Sequence, residues 1–166
     1  MIFVTVGSQV PFNRMIKAVE KWAIERGRAD EIFYQIGNGV PPETGEWKRT
    51  MPPEKYNQLC IEADLIVGHA GTGIWMTAAD LKRRLILFPR RYAVHHEHRN
   101  EHQYEMCRHV EATGAVTIAF TEEELITFLD APDTVKIPVS KGAGAEELLH
   151  TLRMLIEGKP LPPERR

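Results

Sequence analysis

Cysteine is scarce in this chain: Cys60 and Cys107 are the only two, far apart and with no CxxC pair. That argues against a disulfide framework and suits a reducing compartment. A charge excess is also missing, since 21 basic residues face 23 acidic ones for a formal net charge of −2. No broad electrostatic footprint for nucleic acid or an anionic membrane results, so any anion must be gripped locally. No apolar run approaches the ~20 residues that span a bilayer, and the opening MIFVTVGSQVP has no basic leader. The expectation is a cytoplasmic chain that meets a membrane only through another molecule. Repeats and low-complexity segments are absent, and 166 residues fit one domain with a single sizeable core.

What the chain does have is the stretch VGHAGTGIW, Val67 to Trp75. An apolar run, Ala63 to Val67, stops at Gly68 and is followed by Gly71 and Gly73 before helical apolar spacing begins. This reads as a strand, a tight glycine turn and a helix N-terminus. The first turn of a helix offers unpaired amides and the positive end of its dipole, and glycines let a bulky anion approach closely. His69 and Thr72 add side-chain donors, so the chemistry is phosphate binding. The spacing is GxxGxG, neither the dinucleotide fingerprint nor a P-loop with its Lys-Ser/Thr pair.

Taken in order, Ile2 to Val6 is a β-branched apolar run ended by Gly7-Ser8, and Phe12 to Arg26 carries helical spacing with a stop at Gly27. Glu31 to Ile36 is a second strand closed by Gly37-Asn38-Gly39, and a weaker one lies around Trp47 to Met51. A helix over Pro53 to Ala63 leads into the strand before the glycine turn. Helical spacing then continues through Ile74, Ala78 and Leu81 to Lys82-Arg83-Arg84, ahead of a buried strand at Leu85 to Phe88. Glu101 to Ala112 is helical, Ala115 to Phe120 a strand, and Thr121 to Glu124 a capping box opening a helix to about Leu129. Gly142 to Gly144 forms a joint before a closing helix, within about 146–157. Six βα units predict an α/β fold with an open, mostly parallel, doubly wound (Rossmann-like) sheet of about six strands. In such sheets ligands sit beyond the carboxyl ends of the strands. Gly7-Ser8, Gly37 to Gly39, His69 to Gly73 and the segment after Pro89 all fall there.

That last segment, Arg90 to Gln103, is polar, long for its place, and crowded with groups that bind sugars or phosphates. Glu101 and Gln103 can hold hydroxyls, and Arg90, Arg91 and Arg99 can neutralise a diphosphate or carboxylate.

HAGTG, followed about thirty residues later by PRR…EHRNEHQ and preceded by FVTVGS, resembles the C-terminal, donor-binding half of family 28 glycosyltransferases of the GT-B fold. It is more similar still to the small one-domain members, the catalytic subunits of split enzymes. These include the eukaryotic subunit that adds the second N-acetylglucosamine to a dolichol-linked sugar, and bacterial exopolysaccharide subunits. The likeness spans Ile2 to about Gly114.

It implies a UDP-sugar donor. Gly71, Thr72, Gly73 and His69 would face the diphosphate, and Asn100, Glu101, His102 and Gln103, with Arg90 and Arg91, the donor sugar or ribose. Gly7 and Ser8 would lie where donor and acceptor meet, with His69, Gly7 and Ser8 nearest the chemistry, and backbone near Thr50 and Met51 would read uracil. Many relatives carry a Ser and a Glu early in the helix after HAGxG where this chain has Ile74 and Thr77, so the ribose contact either moves elsewhere or is made by Thr77. The acceptor domain of two-domain members has no counterpart in this sequence. The resemblance therefore implies a membrane-anchored partner at the inner membrane that binds a lipid-linked acceptor. It also implies inversion at the anomeric carbon, no required metal or other cofactor, and little activity without that partner. Without it the apolar partner face is free to pair two copies of the chain.

Plainer readings stand beside these. His69 can be a strand-end residue bonded to backbone, Arg90 and Arg91 a solvated or partner-contacting pair, and Trp75 and Met76 core residues or an apolar patch. Glu122 to Glu124 read as a solvated helix start. His95, His96, His98 and His102 offer zinc ligands with Glu97 or Glu101 as base, yet lack the HExxH pair on one helix. The rival functions are thus a non-catalytic nucleotide-sugar-binding or regulatory module and, less well supported, a metal-dependent hydrolase.

Overall fold

The computed structural model describes residues 1–7, 10–95, 97 and 100–139. Ser8, His96, His98, Arg99, the Gly142 to Gly144 joint and the closing helix at 146–157 lie outside them. The elements are β1 (Ile2–Thr5), α1 (Asn13–Arg26), β2 (Ile32–Gln35), β3 (Glu46–Lys48), α2 (Pro53–Glu62), β4 (Leu65–His69) and α3 (Thr72–Asp80). They continue with β5 (Arg84–Phe88), α4 (Tyr92–His95), α5 (His102–Glu111), β6 (Thr117–Ile118) and α6 (Glu122–Asp130).

All strand pairings are parallel, in the order β3-β2-β1-β4-β5-β6. The pleat explains why the strands are apolar throughout. Ile2, Val4 and Val6 pack under α1 and α6 with Met15, Val19, Trp22 and Leu125, whereas Phe3, Ile66 and Leu85 face the opposite core with Leu59, Trp75 and Cys107. With helices on both faces, neither side of β1 meets water, and β2, β4 and β5 are nearly as covered, whereas β3 at the edge is exposed. Trp22 and Trp75 are 1% and 2% exposed, so Trp75 belongs to the core; burial of each such side chain contributes about 2–3 kcal/mol. Its neighbour Met76 stays 37% exposed. The face occupied by each helix follows from handedness: α1 leads from β1 leftward to β2, while α2, α3 and α5 lead rightward, so right-handed crossovers put them on opposite sides.

Helix ends follow local chemistry. Gly27 closes α1 in the left-handed region at φ 63°. Thr121 Oγ1 accepts the Glu124 amide at 3.2 Å, while the Glu124 carboxylate accepts the Phe120 amide at 2.6 Å, one residue upstream of an ordinary capping box.

Several boundaries differ from the sequence expectation. β2 runs into β3 with no helix between, so the chain is not six βα units. β3 covers Glu46–Lys48, which leaves Thr50 and Met51 beyond its carboxyl end. β4 continues through Gly68 to His69 because Gly68 pairs with Thr5 and Leu87, and its missing Cβ makes room for Ile74, whose Cγ2 would lie 3.1 Å from one. β6 is only Thr117–Ile118, and α5 begins at His102 with Glu101 as its N-cap residue.

Candidate functional site

β1 lies between β2 and β4, and the helices that follow β1 and β4 depart to opposite faces of the sheet. A crevice opens between the two loops at this topological switch point, where ligands of such sheets bind. His69, the last residue of β4, fills its centre. Its ring covers Gly7 and Gly71 together: a Cβ on Gly7 would sit 2.7 Å from His69 Cε1, and one on Gly71 would overlap Nε2. Gly7 also has φ +76°, so that position requires glycine twice over.

The Gly71 amide is already spent on the His69 carbonyl at 2.7 Å, and no side chain caps α3. The Thr72, Gly73 and Ile74 amides therefore point outward without partners among the described residues, carrying the helix dipole with them. Gly73 is the open approach, since a Cβ there would meet nothing within 4 Å. Thr77 lies one turn further, half-buried, its hydroxyl donating to the Gly73 carbonyl at 2.9 Å. Only its oxygen lone pairs remain for a ligand.

On the β2 side of Gly7 lies a cleft of about 360 Å³ lined by Gly7, Gln35, Thr50, Met51, Pro53, Tyr56 and Asn57. Gln35 forms its buried floor. Its amide nitrogen donates to the carbonyls of Arg49 (2.8 Å) and Gly7 (3.2 Å), and its oxygen accepts from Thr5 Oγ1 at 2.8 Å. Tyr56 stands edge-on to Phe3, and burial pushes its hydroxyl up to about 12. The Arg49 guanidinium donates to the carbonyls of Gly37 and Gly39, bracing the neighbouring turn. Gln35, Tyr56 and Asn57 are absent from the sequence expectation. The one signal for them is a polar residue closing an apolar strand and a Tyr-Asn pair in the first turn after Pro-Pro.

The segment after Pro89 differs in kind. Arg90 is 3% exposed, with Nη2 donating to the carbonyls of Val6 (2.7 Å) and Val10 (2.5 Å), and its Cζ lies 4.7 Å from the centre of the Phe12 ring. Burial lowers its pKa to about 10, opposed by the nearby Glu97 charge. Glu97, with its side chain 11% exposed, is held in a two-pronged pair by Arg14 (2.8 and 3.0 Å) and accepts the Arg91 amide at 3.0 Å. Arg14 itself lies 4.3 Å from the centre of the Phe88 ring and donates to the Pro89 carbonyl, a role no local pattern marks. Glu101 accepts the Ala93 amide at 2.6 Å and lies 3.5 Å from Arg91, which stacks 3.8 Å from the Tyr104 ring centre. Arg90, Arg91 and Glu101 thus hold the segment itself together.

What faces outward is smaller. Gln103 accepts the Arg90 amide at 3.2 Å, and its own amide nitrogen has no partner among the described residues. Asn100 accepts the His102 amide at 3.3 Å, and the exposed His102 ring lies 3.6 Å from the Glu105 carboxylate. Among the described residues no group of three or more His, Cys, Asp or Glu could hold a metal ion. No helix among them is long and apolar enough to cross a membrane.

The parallel sheet in this order, with an anion-ready helix at its switch point, defines a Rossmann-like domain matching one half of a GT-B glycosyltransferase. Residues 1–134 match the glycosyltransferase family 28 C-terminal domain, and the chain belongs to that family. Among solved structures, the NMR structure of ALG13 is similar at TM-score 0.59 and 21% identity, over 89% of this chain and 94% of that one. The crystal structure of the glycosyltransferase of kitacinnamycin is similar at TM-score 0.52 and 14% identity, over 94% of this chain. A proposed UDP-N-acetylglucosamine 2-epimerase from Listeria monocytogenes gives TM-score 0.53 and 14% identity over 99% of this chain. This chain spans 39% and 46% of the length of these last two proteins. At such identities the likenesses establish the fold alone. Comparison with curated proteins gives no match.

Proposed function

We propose that this chain is the donor-binding subunit of a glycosyltransferase that uses a UDP-sugar and transfers its hexosyl group to a lipid-linked acceptor. One observation carries this reading: the uncapped N-terminus of α3 and the cleft at Thr50 and Met51 meet at Gly7, under His69. The diphosphate lies on the Thr72, Gly73 and Ile74 amides beside His69. Uracil enters the cleft over Gln35, and ribose reaches Thr77. The sugar then falls on the β5 side, within reach of the Gln103 amide, Asn100 and His102.

In the transfer step the acceptor oxygen attacks the anomeric carbon, the bond from that carbon to the β-phosphate oxygen breaks, and the acceptor proton passes to a base. The charge that grows on the departing UDP is met by preorganised amides; removing one such donor typically costs about 3 kcal/mol in the barrier. No metal is needed for that role. A membrane-anchored partner supplies the acceptor site and keeps this chain at the cytoplasmic face, working in exopolysaccharide or related surface-glycan synthesis.

Calorimetric titration with UDP, ADP and a panel of UDP-sugars, with and without chelator, tests the reading. Selective, chelator-insensitive UDP binding is expected, weakened about tenfold by Gln103→Ala for the matching UDP-sugar but not for UDP. Equal affinity for ADP, or binding that needs zinc, overturns it.

A further inference from the structure

Arg90 belongs by residue type among ligands of a diphosphate, yet its guanidinium is sealed in protein. It grips the carbonyls of Val6, just beyond β1, and Val10, just ahead of α1, and lies against the Phe12 ring at the start of α1. Its backbone amide meanwhile donates to Gln103 at the start of α5. One residue thus joins the ends of β1 and β5 to the beginnings of α1 and α5.

The consequence lies in the Val6–Gly7 peptide. A trans peptide points its N–H opposite to its C=O, so a fixed Val6 carbonyl fixes the direction of the Gly7 amide. That amide has no partner among the described residues and belongs to the residue directly beneath the His69 ring. Left-handed φ at Gly7 would let the peptide turn easily were its carbonyl free.

We propose that Arg90 is a positioning residue that aims the Gly7 amide at the bound donor and links that aim, through its own amide, to Gln103. This rests on the donor-binding reading above. A lysine cannot substitute fully, because an ammonium can donate to the two carbonyls as Nη2 does but has no planar group to lie against the Phe12 ring at the same time.

The test is amide NMR of the isotopically labelled chain titrated with UDP, on wild type, Arg90→Met and Arg90→Lys. In the wild type the Gly7 and Gly73 amides both shift. In Arg90→Met the Gly7 response is lost while Gly73 still responds, and UDP affinity falls about tenfold; Arg90→Lys lies between. A purely structural role would lower the melting temperature and leave the Gly7 response intact in the folded molecules, and that result overturns the proposal. So does a Gly7 amide that never responds in a wild type that binds UDP. If Arg90→Met does not fold, Arg90→Lys decides on the same pair of signals. A wild type that does not bind UDP overturns instead the donor-binding reading.

Discussion

The two halves of the site rim are built from opposite materials. The half over β1 and β4 is poor in side chains: Gly7 and Gly71 lie against one imidazole, Gly73 faces open space, and the amides of α3 are left over for a ligand. The half after β5 is rich in charge, and that charge is consumed internally by Arg14–Glu97, Arg91–Glu101 and the grip of Arg90 on Val6 and Val10. Density of polar residues is therefore a poor guide to where a ligand is held. The charged half is a brace, and the nearly featureless half has the unused hydrogen-bonding capacity.

Breaking the brace gives the largest effect. Glu97→Ala removes the two-pronged partner of the Arg14 guanidinium, whose side chain is 12% exposed, leaving it Glu122 at 3.4 Å and the Pro89 carbonyl, and frees the Arg91 amide. A loss of about 3 kcal/mol in urea unfolding is expected, with UDP affinity of the folded molecules little changed. Gly71→Ala does the reverse: its Cβ displaces the His69 ring, costing about 1–2 kcal/mol in stability but weakening UDP binding tenfold or more in calorimetry. If Glu97→Ala loses UDP as severely as Gly71→Ala, the division between brace and site is wrong.

The cysteines report on the halves separately. Cys60 lies on α2 below the cleft and Cys107 on α5 below the charged segment; burial pushes Cys60 up to about 11 and Cys107 higher. Both thiols should resist a disulfide reagent at neutral pH, and Glu97→Ala should quicken Cys107 more than Cys60. The smallest effect concerns the scaffold under both halves. Asp130 is held below the usual carboxylate range by its hydrogen bond with Arg26 first and with Trp22 second. A lowered folded pKa stabilises above the ordinary value and ceases to as pH falls through the folded one. Asp130→Asn should flatten the loss of stability below about pH 4 in acid titration followed by Trp fluorescence.

Much of the fold is legible in the residues, because strands buried on both faces must be apolar throughout and helices must carry a stripe. Ile2 to Thr5, Ile32 to Gln35 and Leu85 to Phe88 announce themselves in this way. β3 does not: each of its residues is exposed at the sheet edge, so no burial pattern marks it. The glycine turn and His69 are also legible, as is the capping residue Thr121, since each depends on local geometry. Arg90 is the opposite case. An arginine at a strand end has the same letter whether it faces a phosphate or two carbonyls some eighty residues earlier in the chain, and only the folded neighbourhood decides. Glu101 and Arg91 are legible as important and illegible as to purpose, for the same reason.

The strand order has a consequence in time. β1 is central, yet its β4 neighbour is encoded about sixty residues later, in the register Ile2 to Leu65. At ~5–20 residues per second, a ribosome takes roughly 3–12 seconds to supply it. During that interval Phe3 and Val4 lie along an open sheet edge that another nascent chain could pair with. Synthesis in crowded polysomes would therefore be the stage at which this protein most needs a chaperone, and a pause before Leu65 would lengthen the exposure.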